Sequence, residues 1–185
     1  MKKILIAFST KHNATAEMAK AMAETLRGMG EFEVDVKDAA IVLGLKPYDA
    51  VIVGSAIYTG HWQNEAVGFL RRYKDQLSHK LVWVFASGPL GEGSGLFPKN
   101  ATAVPDDIRE YIDQIQPRGI ALFSGKLDPA DLSFAERAIS KLVRVELGDF
   151  RDWEAIQNWA FQIGEYLQSL EPEGTEEPAK QHTFE

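Results

Sequence analysis

A doubly wound α/β sandwich, with five parallel strands in the order 2-1-3-4-5 and helices on both faces, is the fold class that this sequence predicts. Three observations lead to it. Short runs rich in Val, Ile and Phe alternate along the chain with stretches of helical periodicity. Four of the five runs are continuously apolar, the pattern of a parallel strand buried on both faces. Strands that alternate with helices connect by right-handed crossovers, which stack helices on each side of one sheet.

Taken in order, the first run covers 3–8 and the next segment, 14–29, spaces Met18, Met22, Leu26 and Met29 as one helical stripe. A second run at 33–37 and a third at 50–54 precede a helix over 64–77, with Val67, Leu70 and Tyr73 on its inner side. The fourth run, 81–87, is followed by a helix over 106–115 that carries Ile108, Tyr111, Ile112 and Ile115. A fifth run, 119–124, leads through an insert to a closing helix over 152–170, striped with Trp153, Ile156, Trp159, Ala160, Ile163 and Leu167. The Met and Trp stripes are expected in the core, with no cofactor role.

The chain has 185 residues, 45% of them apolar and 25% charged, which is the composition of one ordinary globular domain. Without cysteine it has no disulfide, thiolate metal site, iron-sulfur cluster or cysteine nucleophile, and four scattered histidines suggest no metal site. A cytoplasmic location is expected. The longest apolar runs are far short of an export signal or a spanning helix, so neither is expected. A net charge of −7 argues against nucleic acid as a partner. Residues 171–185 hold five Glu, one Lys, two Pro and one Gly, and read as a disordered acidic tail behind a domain over 1–170.

Ligands of an open parallel sheet bind beyond the carboxyl ends of its strands, where the strand order reverses. The loop after the first strand, Ser9, Thr10, Lys11, His12, Asn13, Ala14 and Thr15, is dense in hydroxyls and runs straight into a helix. Unpaired N–H groups, the helix dipole and neutral hydroxyl donors together suit a phosphate dianion. The spacing of a P-loop or a dinucleotide fingerprint is missing. Simple helix capping by Ser9, Thr10 or Thr15 is the competing reading. After the third strand come Ala56, Ile57, Tyr58, Thr59, Gly60, His61 and Trp62, and after the fourth Ser87, Gly88, Pro89, Leu90 and Gly91. Tyr58 and Trp62 can stack on a planar ring while a glycine-rich loop approaches its edge. Trp62 can equally pack on the next helix, and His61 can serve as a proton donor or as a hydrogen bond that fixes its loop. A phosphate cradle between two loops suited to a flat ligand points to FMN.

The segment from Lys3 to Thr15 resembles the opening strand and phosphate loop of flavodoxins, with Asn13 where many of them carry Gly. Within that superfamily, the stretch from Gly54 to His61 and the run Asp152, Trp153, Glu154 look most like menaquinone-dependent protoporphyrinogen oxidases and their flavodoxin-domain relatives. The resemblance covers residues 1–170. It implies a flavodoxin-like fold, noncovalent FMN, a phosphate site from Ser9 to Thr15, and ring contacts from Ala56 to His61 and from Ser87 to Gly91; FAD is not expected, since the cradle ends at a helix with no second nucleotide site evident. It also implies an oxidoreductase of heme biosynthesis that dehydrogenates a porphyrinogen and reduces a quinone.

The oxidases it resembles carry a basic insert after the fifth strand. Here 125–149 holds four basic and five acidic residues, yet Arg137, Lys141 and Arg144 form a ridge beside Phe134, Ala138, Leu142 and Val145. Such a helix, over 134–147, can rest on a membrane surface or cover a quinone, or pack on the sheet with a solvated basic edge. Two rival functions remain in view: a diffusible electron carrier serving a redox partner protein, and an FMN-free signalling or scaffolding module on the same fold.

Overall fold

The computed structural model describes residues 1–88, 102–128, 130 and 148–170. Its elements are β1 (Lys2–Ser9), α1 (Ala14–Gly28), β2 (Phe32–Asp38), a 3-10 turn (Ala39–Ile41), β3 (Ala50–Tyr58), β4 (His61–Trp62), α2 (Asn64–Leu77), β5 (Leu81–Gly88), α3 (Asp106–Ile115), β6 (Gly119–Ser124), β7 (Lys126–Leu127), β8 (Gly148–Asp149) and α4 (Trp153–Ser169). The main sheet is parallel in the order β2-β1-β3-β5-β6. The short antiparallel β4 shifts the numbering, so this is the predicted 2-1-3-4-5 path with one added return.

Period-two alternation divides the core. Leu5 and Ala7 of β1, Val51 and Val53 of β3, and Val82 and Val84 of β5 face one side, where α2 and α3 bury Phe69, Leu70, Leu77, Ile108 and Ile112 against them. Ile4, Ile6, Ile52, Trp83 and Phe85 face the other, under Met18, Met22 and Leu26 of α1 and Ile156, Ala160 and Ile163 of α4. Strands filled on both faces must be apolar throughout, which is why these runs are so legible in sequence.

Two expectations need correction. The run at 119–124 lies at the sheet edge, as the predicted order has it, but Ile120 and Leu122 are exposed, so it is not covered on both faces. Trp153 is not core: it lies at the solvent-facing start of α4 and stacks against Arg151, whose guanidinium carbon is 4.4 Å from its ring centre.

β7 and β8 pair antiparallel, Lys126 with Asp149 and Leu127 with Gly148, and so close the base of the insert. The expected insert helix over 134–147 and the acidic tail over 171–185 lie outside the described residues. No helix among the described residues is long and apolar enough to cross a membrane.

Candidate functional site

β1 ends at Ser9 and α1 starts at Ala14, so residues 10–13 form the whole connection. Asn13 occupies the cap position in the left-handed region, φ 60°, which Asn tolerates better than most residues. Its side chain makes no capping hydrogen bond. The loop hydroxyls do not cap the helix either. Ser9 Oγ donates to Glu65 Oε2 at 3.2 Å, and Thr15 Oγ1 lies 2.7 Å from Ser87 Oγ in the interior. Thr10 Oγ1 is buried and has no hydrogen-bond partner among the described residues. By contrast α4 is capped from within, by Asp152 Oδ1 accepting from Ala155 N. The start of α1 thus has no side-chain cap from Asn13, and the helix dipole is positive at this end. The Thr15–Ser87 bond also ties this loop to the end of β5, so two of the three predicted loops meet.

The third loop is a tight hairpin. β3 reverses through Thr59 and Gly60, φ 50° and 83°, into β4, with Ile57 opposite Trp62 and Tyr58 opposite His61. Positive φ at both central residues matches the twist of the flanking strands, and Gly takes it without strain. Backbone Gln63 N donates to Ser55 Oγ at 3.0 Å and anchors the return. Alternation then decides the side chains: Ile57 and Trp62 point inward, Tyr58 and His61 outward. Tyr58 is 37% exposed and carries the Lys11 ammonium 3.1 Å above its ring centre, linking this hairpin to the first loop. His61 is 68% exposed, with Nδ1 3.7 Å from Asp107 Oδ2.

Trp62 overturns the expectation of a stacking residue. It is 3% exposed, belongs to the core between the sheet and α2 and α3, and its indole N–H donates to Ala103 O at 3.1 Å. Its register opposite Ile57 leaves no face for a ligand.

A cleft of about 600 Å³ opens beside these loops, lined by Ser9, Thr10, Lys11 and Tyr58 together with Asp38, Ile41 and Glu65. Sequence reasoning missed Asp38, Glu65 and Asp107. The first ends β2, the second and third lie in the first turns of α2 and α3, and sheet order with helix packing brings them beside these loops. Of the predicted ring-side residues, Ala56 is half-buried, Thr59 and Gly60 are exposed, Ile57 is core, and Ser87 and Gly88 end β5. A Cβ on Gly88 would stand 3.0 Å from Ile57 Cβ, so the absence of a side chain there matters to packing. Pro89, Leu90 and Gly91 lie outside the described residues.

One further group was missed. Arg151, between β8 and α4, has a side chain only 4% exposed. Its Nε and Nη2 hold Asp149 Oδ1 and Oδ2 at 2.7 and 2.6 Å, and its Nη1 holds Glu17 Oε2 at 2.5 Å. Hydrogen bonds from Arg151 keep the Asp149 carboxyl below its ordinary range, despite an opposing push from burial. A carboxyl depressed in the fold contributes stability that is present above the unfolded value and lost as pH falls through the folded one. Asp149→Asn is therefore expected to unfold at lower urea than the parent at neutral pH, with the gap narrowing as pH falls below the ordinary Asp value of about 3.9. A gap independent of pH would refute that role.

Comparison with known proteins agrees with this fold. The flavodoxin domain family matches residues 5–153. Protoporphyrinogen IX dehydrogenase [quinone] of Escherichia coli (strain K12) is 25% identical over 175 residues, covering 87% of this chain and 94% of that protein. Oxidised flavodoxin 1 from Bacillus cereus superposes with a TM-score of 0.57 at 19% identity, over 91% of this chain and 99% of its own. Oxidised flavodoxin 2 from Bacillus cereus gives 0.55 at 22% identity, over 89% and 99%.

Proposed function

This chain belongs to the flavodoxin domain family, and from that membership we propose an FMN-dependent oxidoreductase that dehydrogenates a porphyrinogen and passes the electrons to a quinone. Its cofactor is FMN. Two features fit the phosphate: the start of α1, where Asn13 provides no side-chain cap, and the buried Thr10 hydroxyl with no partner among the described residues. In this reading residues 9–15 hold the phosphate, and Tyr58, Thr59, Gly60, His61, Ser87 and Gly88 flank the ring, with Tyr58 in the stacking role that Trp62 cannot fill.

When bound, FMN supplies one- and two-electron chemistry at its isoalloxazine ring. The chain orients and tunes it. Lys11, held over Tyr58, places a positive charge between phosphate loop and ring loop, where it offsets negative charge. His61, with Nδ1 toward Asp107, leaves Nε2 to take up or release a proton. In each turnover the substrate loses two electrons and two protons, and the quinone gains both to become a quinol.

The observation that carries the proposal is the match to a quinone-linked dehydrogenase over 94% of that protein's length. A diffusible carrier is the second reading, favoured by the near-balanced charges of 125–149, four basic against five acidic. Anaerobic reduction of the purified protein, then reoxidation by a quinone and by a carrier protein in separate arms, with porphyrinogen oxidation followed by its fluorescence, separates the two. Expected are FMN as the released flavin, fast reoxidation by quinone and quinone-dependent porphyrin formation. Inertness toward both quinone and porphyrinogen overturns the enzyme and leaves the carrier. FAD as the sole flavin overturns the site assignment.

A further inference from the structure

Glu17 is an unexpected residue where it stands. It closes the first turn of α1, its N–H bonded to Asn13 O at 3.0 Å, and so carries a carboxylate one turn from the loop that takes a phosphate dianion. A carboxylate near a helix N-terminus is favourable to the helix alone, but it repels a second anion at the same end. Arg151 answers that charge from another part of the chain, 134 residues on, with one nitrogen on Glu17 and two on Asp149. The guanidinium also stacks on Trp153, so its position is set on three sides.

We propose that Arg151 is a positioning residue for the FMN phosphate: its pairing with Glu17 offsets the carboxylate beside the phosphate loop and fixes the first turn of α1 against the junction of β8 and α4. The inference rests on the FMN reading and deepens it. A clamp of purely structural purpose would hold the fold and treat all flavins alike. An electrostatic support for the phosphate acts on FMN and leaves riboflavin, which has the ring and no phosphate, unaffected.

Apoprotein titrated with FMN and with riboflavin, by flavin fluorescence, tests this in the parent, E17Q, R151Q and the double variant, alongside their thermal melting. R151Q is expected to weaken FMN about tenfold at low salt, the equivalent of about 1.4 kcal/mol, with less effect at high salt and riboflavin affinity within about twofold. E17Q removes the repelling charge and should tighten FMN several-fold, and this arm stands even if R151Q fails to fold. The double variant should recover parental FMN affinity without recovering parental melting. Equal losses for FMN and riboflavin in R151Q, or FMN affinity unchanged in E17Q, would overturn the inference alone. A parent protein that takes up neither flavin would overturn the FMN reading beneath it.

Discussion

Trp62→Ala lowers the free energy of unfolding by about 3–5 kcal/mol, the range for truncating a buried large aromatic, and leaves FMN affinity of the folded fraction within a few-fold of the parent. The indole fills the space between β4 and the helices of its face, and its N–H is bonded in the interior to Ala103 O. Truncation therefore opens a cavity and strips a buried carbonyl of its donor, two costs that add. Against a total stability of about 5–15 kcal/mol such a loss is severe. Urea denaturation of the apoprotein measures it. Trp62→Phe should recover most of it, short of the hydrogen bond, worth about 1 kcal/mol. If instead stability falls by less than about 1 kcal/mol while FMN is lost, Trp62 faces the ligand and the inward register of the hairpin is refuted.

Thr10→Ala weakens FMN by about 1.5–3 kcal/mol, the worth of a hydrogen bond to a charged group, while the apoprotein stays as stable as the parent or gains. The two signs differ for one physical reason. The Thr10 hydroxyl is buried without a partner among the described residues, so it costs desolvation that nothing there offsets. A phosphate oxygen is the acceptor that would repay it. Fluorescence titration reads the affinity and thermal melting reads the apoprotein. Thr10→Ser, which keeps the hydroxyl, is expected to restore binding. A Thr10→Ala protein with parental affinity would remove this residue from the phosphate site.

Much of the site's composition is visible along the chain because the strand ends carry it in contiguous loops. The hydroxyl-rich segment from Ser9 to Thr15 and the hairpin residues from Ala56 to His61 are each short enough for residue type alone to mark them. What the residues do is less visible. Trp62 and Tyr58 look equivalent in sequence, both aromatic and both beside a glycine turn, yet a two-residue return sends them to opposite faces. Asp107, Glu65 and Arg151 carry no motif. Each enters through an ordinary helix start or an inter-element link, and only sheet order and helix packing set Glu65 against Ser9, Asp107 near His61 and Arg151 against Glu17.

By itself the sequence determined the five strands of the parallel path, the four described helices and their order, because doubly buried parallel strands must be apolar along their length and surface helices must repeat near every fourth residue. It also marked the segment proposed here for an anion, since a hydroxyl-rich loop that leads from a strand into a helix is visible in residue type alone. Tertiary structure alone decided which side chains face that place. The pairing of Tyr58 with His61, the burial of Trp62, the Thr15–Ser87 contact across 72 positions and the hold of Arg151 on Glu17 across 134 all depend on register and packing. Local periodicity encodes which face of an element is apolar, and carries no information about which residue of another element will meet it.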